Sequence, residues 1–191
     1  MTKGMYHYLR QAWKKPSQEI NKDRMIGWRK SDVFTVVDKP LRLDRARALG
    51  YKAKKGFVIV RVRILRGGRK RKRAGVKGRK STKQHIRKTL KMNYKWVAEI
   101  RTARRFRNLE VLNSYPIGKD GKHYFFEIIM VDPNRPEIAK DKNLKWITKR
   151  ENRKRAERGL TSSAKKSRGL RSKNPNMKVR PSLRAWDRQG K

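Results

Sequence analysis

The chain has 191 residues, and its 57 Lys and Arg against 15 Asp and Glu give a formal net charge of +42, with a pI near 11.5. Self-repulsion at that density opposes compaction, so the charge demands a polyanionic partner. With no cysteine, disulfide staples, thiolate zinc sites and Cys nucleophiles are excluded together. The longest apolar runs, such as Phe57–Val60 and Ile128–Val131, are four residues, against the roughly 18 of a membrane helix. The opening MTKGMYHYLRQAWKKP carries no signal-peptide hydrophobic stretch, so the expected location is intracellular and cytoplasmic.

Taken in chain order, residues 3–14 form a short helix with Tyr6, Leu9 and Trp13 on one side, stopped at Pro16. Three apolar contacts are too few for independent stability, so this helix must dock. Residues 17–32 read as a basic connection, completing an N-terminal segment over 1–32. Val33–Val37 is a strand; Asp38 and Pro40 start a helix carrying Leu43, Ala46 and Leu49, and Gly50 ends it. The strongest strand is Phe57–Leu65. One face is uniformly apolar (Val58, Val60, Val62, Ile64), and the other passes from Phe57 and Ile59 to Arg61 and Arg63. That pattern predicts burial on both faces at one end and an anion facing the other.

Residues 94–108 follow helical spacing, with Trp96, Ile100 and Ala103 on one stripe. Leu109–Ile117 and His123–Val131 make a hairpin, with Asp120-Gly121 as the turn in the five-residue link GKDGK. The core is therefore α+β: a small, mostly antiparallel sheet in β-α-β-α-β-β order packed with helices over 33–132. A long basic loop interrupts it, and basic terminal segments extend from it. Beyond Asp132-Pro133, residues 133–191 read as a basic helical and extended region. Helices are predicted over Glu137–Trp146 and Trp146–Arg158, ending at Gly159, and no periodicity is sustained from Thr161 onward.

Apolar material and charge are segregated. Residues 33–65 and 94–131 hold 26 of the 39 Leu, Ile, Val and Phe but carry a net charge of only +10, leaving +32 elsewhere. A small body thus carries segments too poor in apolar surface to offset their own chain entropy.

Chemistry concentrates in those segments. In Arg66–Lys91, 13 of 26 residues are basic, none is acidic and four are glycine. Flexible cations neutralise phosphates and release counterions, and glycines let backbone N–H groups approach closely. The candidate RNA contacts are Arg66, Arg69, Lys70, Arg71, Lys72, Arg73, Lys77, Arg79, Lys80, Lys83, Arg87 and Lys88 in this loop. Arg61 and Arg63 join them from the strand before it, and Arg101, Arg104 and Arg105 from the helix after it. Arg29 and Lys30 follow Trp28, and Lys165, Lys166, Arg168 and Arg171 lie in an extension expected to order on its partner. Aromatics beside cations invite base stacking. For Trp13 and Trp146 packing on the body is the favoured alternative, for Trp28 and Trp186 the two readings stand level, and Trp96 belongs in the core.

No catalytic constellation stands out. His7, His85 and His123 are far apart, Glu137 and Asp141 sit beside Lys140 and Lys142 as ordinary ion-pairing partners, and GVKGRKS does not satisfy G-x-x-x-x-G-K-[ST]. No enzyme activity, cofactor, metal, membrane or small-molecule substrate is expected. The remaining classes are a structural protein of a large RNA assembly, a nucleoid-type architectural DNA-binding protein, and an RNA-modifying or chaperone factor. Irregular rather than repetitive basic stretches favour the first.

The stretches MYHYLRQAWKKP, GWRKS, DKPLRLDRARALGYKAKKGFVIVRVRILRGGRKR, RTARRFRNLEVLNSYPIGKDGKHYFFEIIMVDP and RGLTSSAKKSRGL resemble a single family. It is the archaeal and eukaryotic ribosomal protein family numbered fifteen in the eukaryotic large-subunit series, and the resemblance runs through nearly the whole chain. It implies a structural constituent of the large subunit that binds large-subunit ribosomal RNA and touches neighbouring ribosomal proteins. It also implies a small α+β core, and the high Arg and Lys content without a long extra C-terminal stretch resembles the archaeal members.

Overall fold

The computed structural model describes residues 2–68, 90 and 92–171. Helix α1 spans Met5–Lys14, α2 Gln18–Lys30, strand β1 Phe34–Val37, helix α3 Leu43–Ala48, strand β2 Phe57–Leu65 and helix α4 Tyr94–Arg105. Strands β3, Glu110–Lys119, and β4, His123–Val131, follow, then short helix α5, Pro136–Ala139, 3-10 turns at Lys145–Thr148 and Arg150–Asn152, and α6, Ser162–Ser167. The body is the expected α+β one, with its β-α-β-α-β-β succession from β1 to β4. In space the strands lie in the order β1-β2-β4-β3, every pair antiparallel.

Strands β2 and β4 are central, which explains their apolar residues on both faces. On one face Val60, Val62, Ile64, Phe126, Ile128 and Met130 pack with Val111 beneath Ala98 of α4. The uniformly apolar face of β2 is therefore the one that α4 covers. On the other face Ile59, Phe125, Ile129, Tyr115 and Ile117 meet Trp28, Ala46, Ile138, Leu144 and Ile147. Two bulges in β3, between Val111 and Asn113 and between Pro116 and Gly118, accommodate a proline that has no N–H to donate.

Three expectations change and one is extended. Residues 17–32, read as a connection, contain helix α2; Trp28 is buried and Met25 half-buried against the core, so two side chains supply packing where periodicity is thin. On α4 the expected stripe is present, Trp96 buried and Ile100 and Ala103 half-buried against the core, and Ala98, Glu99 and Thr102 are buried with it. The hairpin link is Asp120–Lys122, shorter than expected. Asp120 Oδ1 accepts the N–H groups of Lys122 at 2.7 Å and His123 at 2.5 Å, while the Asp120 N–H donates to the His123 carbonyl at 2.9 Å. Burial raises the Asp120 carboxyl, but these bonds outweigh it and hold the group below its ordinary value.

The two long helices expected over 137–158 are replaced by α5 and the 3-10 turns, and α6 occupies the stretch read as lacking periodicity. Asp141 bonds the Asn143 N–H at 2.9 Å, offering the backbone an alternative to helix. Lys154 adopts the left-handed φ of 54°, a conformation that cannot continue a helix. Gly159, the expected stop, does take a left-handed φ of 73°.

Candidate nucleic-acid interface

The ends of the basic loop are tied together. The Gly67 N–H donates to the Tyr94 hydroxyl at 2.8 Å, and that hydroxyl donates to the Gly67 carbonyl at 3.1 Å. Gly67 has φ +106°, which a side chain would strain. The loop thus leaves from β2 and returns to α4 through one clasp, at the same sheet end as the β3–β4 tip. Arg66 is bound there: its backbone N–H donates to the Lys122 carbonyl at 2.8 Å and its Nη1 to the Asp120 carbonyl at 2.5 Å. Its guanidinium lies 5.0 Å from the Tyr124 ring centroid.

Exposed Arg29 joins this end, with Nε 3.2 Å from the Met25 carbonyl and 3.8 Å from Asp120 Oδ2; Lys30 is exposed beside it. Loop residues Arg69, Lys70, Arg71, Lys72, Arg73, Lys77, Arg79, Lys80, Lys83, Arg87 and Lys88 lie outside the described residues, as does Trp186.

The anion expected opposite Arg61 and Arg63 turns out to have a counterpart inside the protein. Arg61 is the register partner of Glu127, its guanidinium sits 5.5 Å from the Trp28 ring, and its Nη2 lies 3.4 Å from Ser31 Oγ. Burial lowers its pKa and the Glu127 charge opposes that shift. Arg63 donates to the Arg29 carbonyl, an orphan acceptor at the end of α2. Both cations therefore clamp α2 to the sheet. Glu127 is itself buried, accepting the Tyr115 hydroxyl and the Leu41 N–H. Burial raises its pKa, and those hydrogen bonds with the nearby arginines counter it.

Two separate basic stretches converge where α4 begins. The Asn93 N–H donates to Ser167 Oγ at 3.1 Å, and the Asn93 side chain donates to the Ser163 carbonyl at 3.0 Å. Helix α6 is thereby docked beside the returning loop, with Lys165 and Lys166 exposed on it and Arg171 exposed just after it. Arg168 turns inward and donates from Nη1 to the Gly159 carbonyl at 3.0 Å. Half-buried Lys95 is a cation the sequence reading missed. Burial lowers its pKa; Glu99 opposes that shift, while Arg45, Lys166 and Arg171 add repulsion. The packing of α3, α4 and α6 brings these cations near one another.

Along α4, Arg101, Arg104 and Arg105 are exposed as expected, and Arg104 also pairs with Glu157 at 2.6 Å. Roughly 18 Å of helix separates the loop clasp from this second basic end, at 1.5 Å per residue. The tryptophans divide. Trp28 and Trp96 are buried, Trp96 donating to the Ala156 carbonyl at 2.7 Å. Trp13 has the guanidinium groups of Arg24 and Arg42 over its ring, at 5.7 and 5.0 Å from the centroid. Among the described residues no group of His, Asp and Glu is placed to hold a metal, and no helix is long and apolar enough to cross a membrane.

A rigid α+β body with cations gathered at both ends of one helix and around one end of a sheet defines the class: a structural nucleic-acid-binding protein. The particular family follows from comparison with known proteins, for the chain belongs to the family described as Ribosomal L15, whose model matches residues 4–186. It is 51% identical over 197 residues to the large ribosomal subunit protein eL15 of Methanocella arvoryzae, covering 100% of each chain. It is 47% identical over 191 residues to that of Methanospirillum hungatei, covering 97% of each, and 44% identical over 197 residues to that of Methanocorpusculum labreanum, covering 100% of each. The family is structural, not enzymatic, and the archaeal affinity implied by the resemblance agrees with these relatives.

Proposed function

We propose that this chain is a structural constituent of the large ribosomal subunit, working in the cytoplasm, where it binds the subunit's RNA and neighbouring ribosomal proteins. Family membership across residues 4–186 carries this reading. The convergence of the loop base, α2 end and α6 on one region supports the RNA contacts assigned to the basic loop and extensions. Phosphate contacts position such a protein, and shape rather than base sequence selects the site. The body of residues 33–132 acts as a spacer, holding the basic segments 66–91, 1–32 and 133–191 at fixed separations so that they brace different RNA helices.

Replacing Arg69, Lys70, Arg71, Lys72 and Arg73 together with alanine is the direct test. The variant is expected to keep its circular dichroism spectrum and lose incorporation into large subunits, read by sedimentation. Each phosphate contact removed should lower the slope of log K against log salt by about 0.7–0.9. Normal incorporation at physiological salt would show that the loop is not an RNA anchor. Release of the native protein from cell extracts by DNase but not RNase would overturn the ribosomal reading in favour of a DNA-bound one.

A further inference from the structure

We propose that Trp146 is a stacking platform for one unpaired RNA base, a contact that rests on the RNA-bound reading above and adds a specific site to it. Trp146 belongs to the 3-10 turn Lys145–Thr148, and 36% of it is exposed. One side of its ring is occupied by the Arg155 guanidinium, 4.8 Å from the centroid. Among the described residues, Arg155 is the one cation that lies over this ring. That guanidinium is itself immobilised, with Nη1 donating to the Val111 carbonyl at 2.5 Å and the Leu112 carbonyl at 2.8 Å, both on β3. The turn is fixed from below by Ile147, 1% exposed, and from the side by Asn152 Nδ2, which donates to the Trp146 carbonyl at 2.5 Å. The ring is therefore backed by a fixed guanidinium, and its partial exposure leaves surface for a base, so stacking on it costs little further ordering.

Its surroundings choose the ligand. Lys145, Lys149 and Arg150 are exposed on the same turns, placed to meet the phosphates on either side of a splayed nucleotide. The other exposed large apolar side chains (Met5, Tyr8, Ile20, Val36, Leu65 among them) belong to distant parts of the sequence, and none lies between 140 and 160. A lone ring amid cations lacks the apolar area that a protein partner would bury, whereas a base needs only one π-face. Trp13 is half-buried with two guanidinium groups already over its ring, and Trp28 and Trp96 are buried, so none of the three offers a comparable exposed ring.

The test uses the full chain and two probes, a mixed-sequence hexaribonucleotide and its abasic counterpart. Trp146→Leu is expected to weaken binding of the base-bearing strand about tenfold while leaving the abasic strand and the salt slope unchanged. Trp146→Phe, which keeps a ring, should restore most of the difference. In the unaltered chain labelled with 5-fluorotryptophan, the resonance that Trp146→Phe removes should shift with the base-bearing strand and not with the abasic one; this readout does not depend on how a variant folds. Equal affinities of the Leu variant and the unaltered chain for the base-bearing strand, or no selective shift of that resonance, would overturn the proposal. Loss of a co-purifying protein with RNA binding intact would also overturn it, in favour of a protein contact. Failure of the unaltered chain to bind either strand would overturn the RNA-bound reading itself, and the platform with it.

Discussion

Thr161→Val probes the joint that holds the C-terminal basic segment to the body. The Thr161 hydroxyl is fully buried, donates to Glu99 Oε2 at 2.6 Å, and caps α6 by accepting the Ala164 N–H at 3.3 Å. Glu99, also fully buried, accepts a second bond from Ser114 Oγ on β3. One carboxylate of α4 thus ties β3 and α6 together. Valine preserves volume and branching, so no cavity enters. What is lost is the partner of a buried carboxyl oxygen, about 1–3 kcal/mol, and a long, weak N-cap at the low end of 0.5–2 kcal/mol. The expected destabilisation is therefore about 1.5–4 kcal/mol, a large share of the ~5–15 kcal/mol of a typical domain. Urea unfolding at high salt gives the global value, and amide exchange over 162–168 tests whether α6 loosens first. The cost should shrink in a Glu99→Gln background, since the two changes act on one bond. A loss below about 0.5 kcal/mol, or full additivity with Glu99→Gln, would refute the joint.

Three other outcomes are expected. Glu127 holds its proton more tightly folded than unfolded, so its contribution to stability is complete below the ordinary value of 4.5 and is lost as pH rises through its raised folded value. In Glu127→Gln, urea midpoints between about pH 5 and 7 should accordingly fall less with rising pH than in the unaltered chain; an identical slope would contradict the assignment. Gly56→Ala places a Cβ 2.8 Å from Ile138 Cγ1 at a φ of +92°, and should lower stability by about 2 kcal/mol or more in thermal unfolding. Trp28→Ala removes the buried anchor of α2 and the ring against Arg61 and Phe125. It should cost about 3–5 kcal/mol, and faster amide exchange throughout α2 would show that this helix depends on its anchor.

The body was legible wherever one side-chain period ran unbroken. Phe57–Leu65 and His123–Val131 appear in the structure with the boundaries read from alternation and apolar runs. Helix α2 was obscured because its docking rests on Trp28, with Met25 beside it, rather than on a full apolar stripe. The stretch 137–158 was misread because charge and occasional apolar residues mimic helical spacing, whereas Asp141 and the left-handed Lys154 break it locally. Of the candidate cations, exposure on α4 was readable from a helical face, whereas α6 was not read as a helix. The inward roles of Arg61, Arg63 and Arg168 were not, because a basic residue in a basic chain looks the same whether it meets RNA or a helix-end carbonyl.

By itself the sequence determined the class of partner, since +42 on 191 residues requires a polyanion, and it determined the two central strands, whose apolar residues on both faces demand cover on both sides. The tertiary structure alone decided which charges are used internally. Glu127 and Glu99 lie in mid-element, where neither spacing nor composition marks them, yet packing buries both and obliges Arg61, Tyr115, Thr161 and Ser114 to gather around them. A buried carboxylate must be satisfied by whatever polar groups the fold brings to it, and those partners come from 12 to 66 residues away in the chain. The clasp between Gly67 and Tyr94 arises the same way, and it turns a run of cations into a loop with a fixed point of departure.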